Sequence, residues 1–371
     1  MNASGAESRA HSGCNHDMSE WEEHMEKMYS YFYLLLFVPG LLLNTTALWV
    51  LWRHISKKSK TVIFMMNLAL ADLVHTLSLP LRIYYYFTHS WPFGSGLCLF
   101  CFYLKYLNMY AAISFLVCIS VQRCCFLLDP FLARRWRRRS DLVISAVVWA
   151  VVGLSCSPFI LMRSGASNTS DAQHVSELRD SVEGSAPPPL ASSPKPSCFK
   201  DLPMRRPSTA LLVSMVALAE VFGFLLPLLC IVYSSVRIRR SLAVQQNHAA
   251  LQPKNLKHSD GEKSRALKMV LSCSLVFLLC FAPYHINFLL YMMVQQGILS
   301  HCPTRLAVLQ VHPVSLCLAS LSCCLNPLLY YFLTAEFRLH IRSRTSSFSS
   351  SLMSSPMSQR PRPEDSRDAP R

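Results

Sequence analysis

Apolar residues in this chain fall into blocks too long for the core of a soluble domain. Seven runs lie at approximately 29–53, 61–87, 97–128, 141–162, 208–236, 265–294 and 308–333. Each is about the 20 residues or more that a helix needs to cross a hydrocarbon layer. Lipid offers backbone amides and carbonyls no partner, so each run is predicted to be an α-helix with its hydrogen bonds inside the segment. Composition agrees: 51% of residues are hydrophobic and 15% charged, against about 25% charged in soluble domains. The expected fold class is an all-α membrane protein, a seven-transmembrane helix bundle.

The formal net charge is +15. A basic chain invites a nucleic-acid reading, but here the charge alternates between loops. Arg53, Lys57, Lys58 and Lys60 follow the first run, and Arg134, Arg135, Arg137, Arg138 and Arg139 follow the third. Arg237, Arg239 and Arg240 follow the fifth, and Lys263, Arg265 and Lys268 lead into the sixth. Short loops rich in Lys and Arg stay on the cytoplasmic side. The N-terminus is therefore expected outside, the C-terminus inside, and no nucleic-acid partner is expected. Residues 1–28 are polar and acidic and the first run is of full membrane length, so no signal peptide is expected.

Of fifteen cysteines, Cys118, Cys156, Cys230, Cys273, Cys280, Cys317, Cys323 and Cys324 lie inside runs, where they serve as small packing residues. None has zinc-ligand spacing, and no metal centre is expected. Four fall on the outer, oxidising side: Cys14, Cys98, Cys198 and Cys302. Four cysteines can pair in three ways. The pairing adopted joins Cys98, which opens the third run, to Cys198 in the second outer loop, and Cys14 to Cys302.

The expected division is an extracellular tail at 1–28, the transmembrane domain at 29–333, an amphipathic helix at 334–344 and a disordered cytoplasmic tail at 345–371. An outer-loop insert at about 164–197 is rich in Pro and Ser and is expected to be disordered. Asn2 and Asn168 head glycosylation sequons on the outer side. After the seventh run, Phe332, Phe337 and Ile341 alternate with Arg338, Arg342 and Arg344, a spacing that suits a helix on the inner leaflet. The tail beyond is Ser-rich and suits phosphorylation.

Polar residues inside membrane spans are costly, so their identity carries function. The first run holds Asn44, and the second holds "NLALADL" with Asp72. The third holds Arg123 within "FLVCISVQRCCFLLDPF", and the fourth holds Trp149. The sixth holds "FLLCFAPYH" with Pro283, and the seventh "NPLLYY" with Asn326, Pro327 and Tyr330. This set, in this order over about 29–345, resembles the class A (rhodopsin-like) G-protein-coupled receptors. "KYLNMYAAISFLVCISVQRCCFLLDPF", "FAPYH" and "AEVFGFLLP" resemble the purinoceptor-like branch, and within it the receptors for lysophosphatidylserine.

The resemblance implies a plasma-membrane receptor, not an enzyme. Its partners would be a heterotrimeric G protein, with the Rho-activating subfamily suggested, and arrestin and receptor kinases acting on the Ser-rich tail. Arg123 would be the switch residue that meets the G protein when the sixth helix swings out. Most members precede that arginine with an acid, whereas Gln122 stands here, offering a neutral amide oxygen, and Glu262 is the acid at hand on the sixth span. Pro227 and Pro283 are expected to kink their helices. Phe281 replaces the family's tryptophan, with Phe277 a turn below. Tyr233 lies six residues after Pro227 rather than the usual eight, which bears on a contact with Tyr330. Asp72 with Asn44, Asn108, Ser322 and Asn326 matches the family's mid-membrane polar cluster. The cofactor that cluster can hold is a sodium ion, although Ala112 stands where a serine ligand is usual.

The outer halves hold Arg82, Lys105, Arg163, Glu220 and His285. Lys105 and Glu220 both face the interior, where a mutual salt bridge is one expectation and ligand contact the other. Arg82 and Arg163 have no acid within a helical turn and suit a phosphate or carboxylate at the pocket mouth. Tyr106 adds a hydroxyl. Phe159, Leu161, Val213, Val216 and Phe222 offer apolar walls to an acyl chain. The resemblance assigns Arg82, Tyr106 and Arg163 to the headgroup of a lysophospholipid, but a further headgroup lysine is Gln295 here. The expected function is reception of an extracellular anionic lysophospholipid, lysophosphatidylserine first. A nucleotide purinoceptor is the alternative. A retinal pump would need a lysine in the seventh span, which has none, and a transporter would show internal repeats.

Overall fold

The computed structural model describes residues 19–55, 62–158, 198–199, 209–249, 257–299 and 301–333. Asn2, Cys14, Phe159, Leu161, Arg163, Asn168, the loop insert, the 334–344 helix and the Ser-rich tail lie outside them. So do the side chains of Glu262, Gln295 and Tyr330.

Seven of the described helices are long and apolar enough to cross a membrane, and no strand occurs among the described residues. They are α1 (Ser19–Val50), α2 (Val62–Thr88), α3 (Ser95–Leu128), α4 (Arg138–Pro158) and α5 (Thr209–Ala249, interrupted at Val221–Leu225). Then come α6 (Lys257–Gln295, interrupted at Phe277–Phe281) and α7 (Cys302–Leu333). A short helix, Pro130–Arg135, lies between α3 and α4. Its start is dictated locally: Asp129 Oδ1 accepts from the amides of Phe131 and Leu132, each at 3.0 Å, and Pro130 occupies the first turn. α1 begins at Ser19, ten residues before the first apolar run. The added turns carry Glu20, Glu22, Glu23 and Glu26 and stand beyond the apolar stretch.

The expected proline kinks take a specific form. Pro227 and Pro283 have no N–H to give, and each follows a π turn that takes up the slack. The Leu226 amide reaches back five residues to the Val221 carbonyl, and the Ala282 amide reaches the Phe277 carbonyl. Within the α5 π turn sits Gly223. A Cβ there would lie 2.5 Å from the Tyr110 ring and 3.1 Å from His285, so only glycine lets α5 approach α3 this closely.

The main core draws on all seven helices, most heavily on α2, α3 and α6, and includes Phe64, Leu68, Phe115, Phe277 and Phe281, all 2% exposed or less. The outward faces of α1, α4 and α5 are apolar and exposed, with Leu154, Leu229 and Leu35 among them. An inside-out distribution of this kind is what lipid requires. Trp149 on α4 donates to Asn67 Oδ1 on α2 at 2.9 Å, tying a peripheral helix to the core.

Candidate functional site

The outer half of the bundle collects basic side chains. Arg82 on α2 is buried at 2% exposure. Its Nη2 donates to the Cys101 carbonyl at 2.6 Å, and its guanidinium lies 4.5 Å from the Phe199 ring centroid and 5.7 Å from that of Phe102. Its Nε has no hydrogen-bond partner among the described residues. Arg82 is therefore not an open guanidinium at a pocket mouth, as its sequence context suggests, but one capped by aromatic rings. The cap is held in place by the disulfide between Cys98 and Cys198. Phe199 follows Cys198 directly and has a φ of 61°, a left-handed conformation unusual for a bulky residue. It packs on Tyr85, Tyr86, Trp91 and Phe102. Cys302 is also disulfide-bonded, to a cysteine outside the described residues, where Cys14 lies.

Lys105 on α3 donates to the Tyr33 hydroxyl at 3.4 Å. The salt bridge to Glu220 anticipated from sequence does not form: Glu220 Oε1 instead lies 3.3 Å from Nδ1 of His285. Neither Arg82 nor Lys105 meets a carboxylate among the described residues. His75 on α2 adds a further basic group that sequence reasoning passed over. Both its ring nitrogens are buried without a hydrogen-bond partner among the described residues. His75, Lys105, Tyr106, Asn108 and Ser320 line a cavity of about 10 Å3, room for about one water.

Two larger grooves flank α5. One, of about 520 Å3, runs between α5 and α6 and includes Val213, Val216 and, at its deep end, Glu220 and His285. The other, of about 470 Å3, lies among α3, α4 and α5, with Tyr110, Val152, Met215 and Phe222 in its walls. The single apolar channel expected from sequence is thus divided: Val213 and Val216 line one groove and Phe222 the other.

Below these, Asp72 is fully buried and accepts from Asn108 Nδ2 at 3.0 Å on one oxygen and Asn326 Nδ2 at 2.9 Å on the other. Two members of the expected cluster are engaged elsewhere. Asn44 donates to the Gly40 and Cys323 carbonyls, and Ser322 to the Ala319 carbonyl of its own helix. Phe281 stands against Phe277 with ring centroids 6.2 Å apart, both fully buried.

At the inner end, Arg123 Nε donates to Sδ of Met269 on α6 at 3.1 Å. Gln122 does not turn its amide oxygen to Arg123, as sequence suggests. It is buried and donates from Nε2 to Asp141 Oδ1 at 2.8 Å. Trp136 Nε1 donates to the same oxygen at 2.6 Å. The acid missing from the position before Arg123 thus lies on α4, where it binds the end of α3 to the second inner loop. Asp141 carried no sequence signal beyond opening the fourth apolar run. Tyr233 is exposed, with Arg237 over its ring at 6.0 Å, and so faces away from the bundle.

A family model described as the 7 transmembrane receptor (rhodopsin family) matches residues 43–330. A protein of Mus musculus named as a putative purinoceptor, number 10 of its series, is 46% identical over 353 residues, covering 95% of this chain and 97% of its own length. "Probable G-protein coupled receptor 174" of Homo sapiens is 43% identical, covering 84% of each chain. "Lysophosphatidic acid receptor 6" of Homo sapiens is 30% identical, covering 85% of this chain and 83% of its own. Matched along the seven spans and most of its length, the chain belongs to the rhodopsin family of G-protein-coupled receptors, in its lipid or purinoceptor-like branch: a multi-pass membrane receptor and not an enzyme.

Proposed function

We propose that this receptor responds to an extracellular anionic lysophospholipid, lysophosphatidylserine first. The observation that carries the reading is the pairing of two features beside α3. Arg82 and Lys105 are held in the outer half with no carboxylate against either among the described residues. One turn below Tyr106, Tyr110 enters the wall of the α3–α4–α5 groove. Cations without counter-ions inside a membrane protein mark a ligand path. An anionic head on those cations, with its chain in the adjoining groove, satisfies both features. A nucleotide would use the cations and leave the groove empty. One relative's name carries lysophosphatidic acid, an anionic lysophospholipid.

The reading extends to an extracellular N-terminus at the plasma membrane, from the placement of Lys and Arg. It also includes sugars on Asn2 and Asn168, arrestin and kinase contact through the Ser-rich tail, and coupling to a Rho-activating G protein. The test is a ligand screen on cells expressing the chain, lysophospholipids against nucleotides, with G-protein dissociation as readout. Potent responses to lysophosphatidylserine and none to nucleotides are expected. The reverse pattern overturns the lipid reading and leaves the receptor assignment standing.

A further inference from the structure

Five of the six residues from 134 to 139 are arginine, and all five are exposed. A positive-inside signal needs only charge, and lysine would serve it. Arginine differs in presenting a planar fork that bonds phosphate oxygens two at a time. The segment is also held in one place. Asp129 caps its short helix, and Trp136 is fixed by its bond to Asp141 and by its edge against Phe126.

Its position is what selects a partner. Arg139, Val143, Val147 and Val151 follow one another at intervals of four, so they share a stripe of α4. The three valines are 62%, 55% and 56% exposed, and Leu142 beside them 55%. In a bilayer this stripe faces acyl chains. From Arg139 to Val151 it runs about 18 Å along the helix at 1.5 Å per residue, close to the depth of one leaflet, about 15 Å. Arg139 therefore crowns a lipid-facing apolar stripe of one leaflet's height, with the other four arginines just before it in the chain. They stand apart from Arg123 and Met269, whose contact lies between α3 and α6.

We infer that the inner end of α4 binds an inner-leaflet phospholipid whose headgroup carries several phosphate charges, seated on Arg135 and Arg139 with its chains along the valine stripe. The inference rests on the proposed orientation, which puts this loop at the inner leaflet. Clusters of four or more basic residues beside a membrane span attract such headgroups.

The test uses the full chain in nanodiscs of phosphatidylcholine. A small fraction of phosphatidylinositol bisphosphate is added to one set, and phosphatidylserine at matched total charge to the other. Native mass spectrometry reads which lipid is retained. Both leaflets of a nanodisc carry the lipid, so an inverted orientation would not abolish binding; an N-terminal epitope on intact cells tests orientation separately. Retention of the bisphosphate lipid over phosphatidylserine is expected. Arg135→Gln with Arg139→Gln should weaken it about thirty-fold, from roughly 1 kcal/mol for each basic residue near an anionic surface. Removing the same charge from α5, by Arg239→Gln with Arg240→Gln, should leave retention within about two-fold. Equal retention of the two lipids at matched charge, or equal loss in both double variants, overturns the inference and leaves the arginines as a topology signal. Unchanged lipid retention with lost G-protein activation in Arg135→Gln/Arg139→Gln also overturns it, in favour of a protein partner.

Discussion

The outer half of the bundle holds Arg82 and Lys105 with no carboxylate against either among the described residues, whereas the inner half gives a buried carboxylate, Asp141, two donors from its own chain. Both halves hold charge where charge is expensive. Their solutions differ because their partners differ. On the proposed reading, a small anionic ligand enters and becomes the missing counter-ion, so the outer site is left incomplete without it. A G protein is large and comes from outside the chain, so the inner end must be stable alone. Gln122, Asp141 and Trp136 supply that stability at the base of α3, and the neighbouring Arg123 rests on Met269 of α6.

The strongest break of this contrast is Cys98→Ser. It releases Cys198 and the attached Phe199 from above Arg82. Loss of a native disulfide typically costs about 2–5 kcal/mol, so surface expression measured by flow cytometry should fall to a small fraction of the parent. Near-normal expression and signalling would show that the aromatic cap holds without its covalent tie.

The next sharpens the inner half. Sequence alone suggests that Gln122→Asp should quieten the receptor by giving Arg123 an acid. The structure reverses this. An aspartate at 122 would face Asp141, replacing a buried hydrogen bond with two like charges at a cost of roughly 2–3 kcal/mol. Ligand-free signalling should rise or thermal stability fall, and Asp141→Asn added to Gln122→Asp should restore much of either. Lowered basal signalling in the single variant, at equal surface expression, would favour Arg123 as the residue that position 122 serves.

The helical spans were legible because lipid imposes a length and a composition on each one. Asp72, Asn108 and Asn326 were legible as a group through the resemblance to the family's polar cluster, and they do meet, whereas Asn44 and Ser322 of the same group bond elsewhere. What failed to show in sequence were the cross-helix partners outside that cluster. Glu220 and His285 are 65 positions apart and Gln122 and Asp141 are 19 apart, and neither spacing is a helical repeat. The lid over Arg82 was equally hidden. Phe199 matters because a disulfide carries it there, not because of its neighbours in the chain.

The most direct test of the outer site is a dose–response series with lysophosphatidylserines of graded acyl length on the parent, Arg82→Ala and Phe222→Ala. Losing one charge-assisted contact costs about 1.5–3 kcal/mol, so Arg82→Ala should shift potency about ten- to hundred-fold, by the same factor at every length. Phe222→Ala, which alters the groove wall, should have the smaller effect and change only the dependence on length, by roughly 0.8 kcal/mol for each methylene no longer buried. Those two separable patterns are the predicted result. Parent-like potency in Arg82→Ala, or indifference to acyl length in all three receptors, would contradict a head on the cations and a chain in the groove.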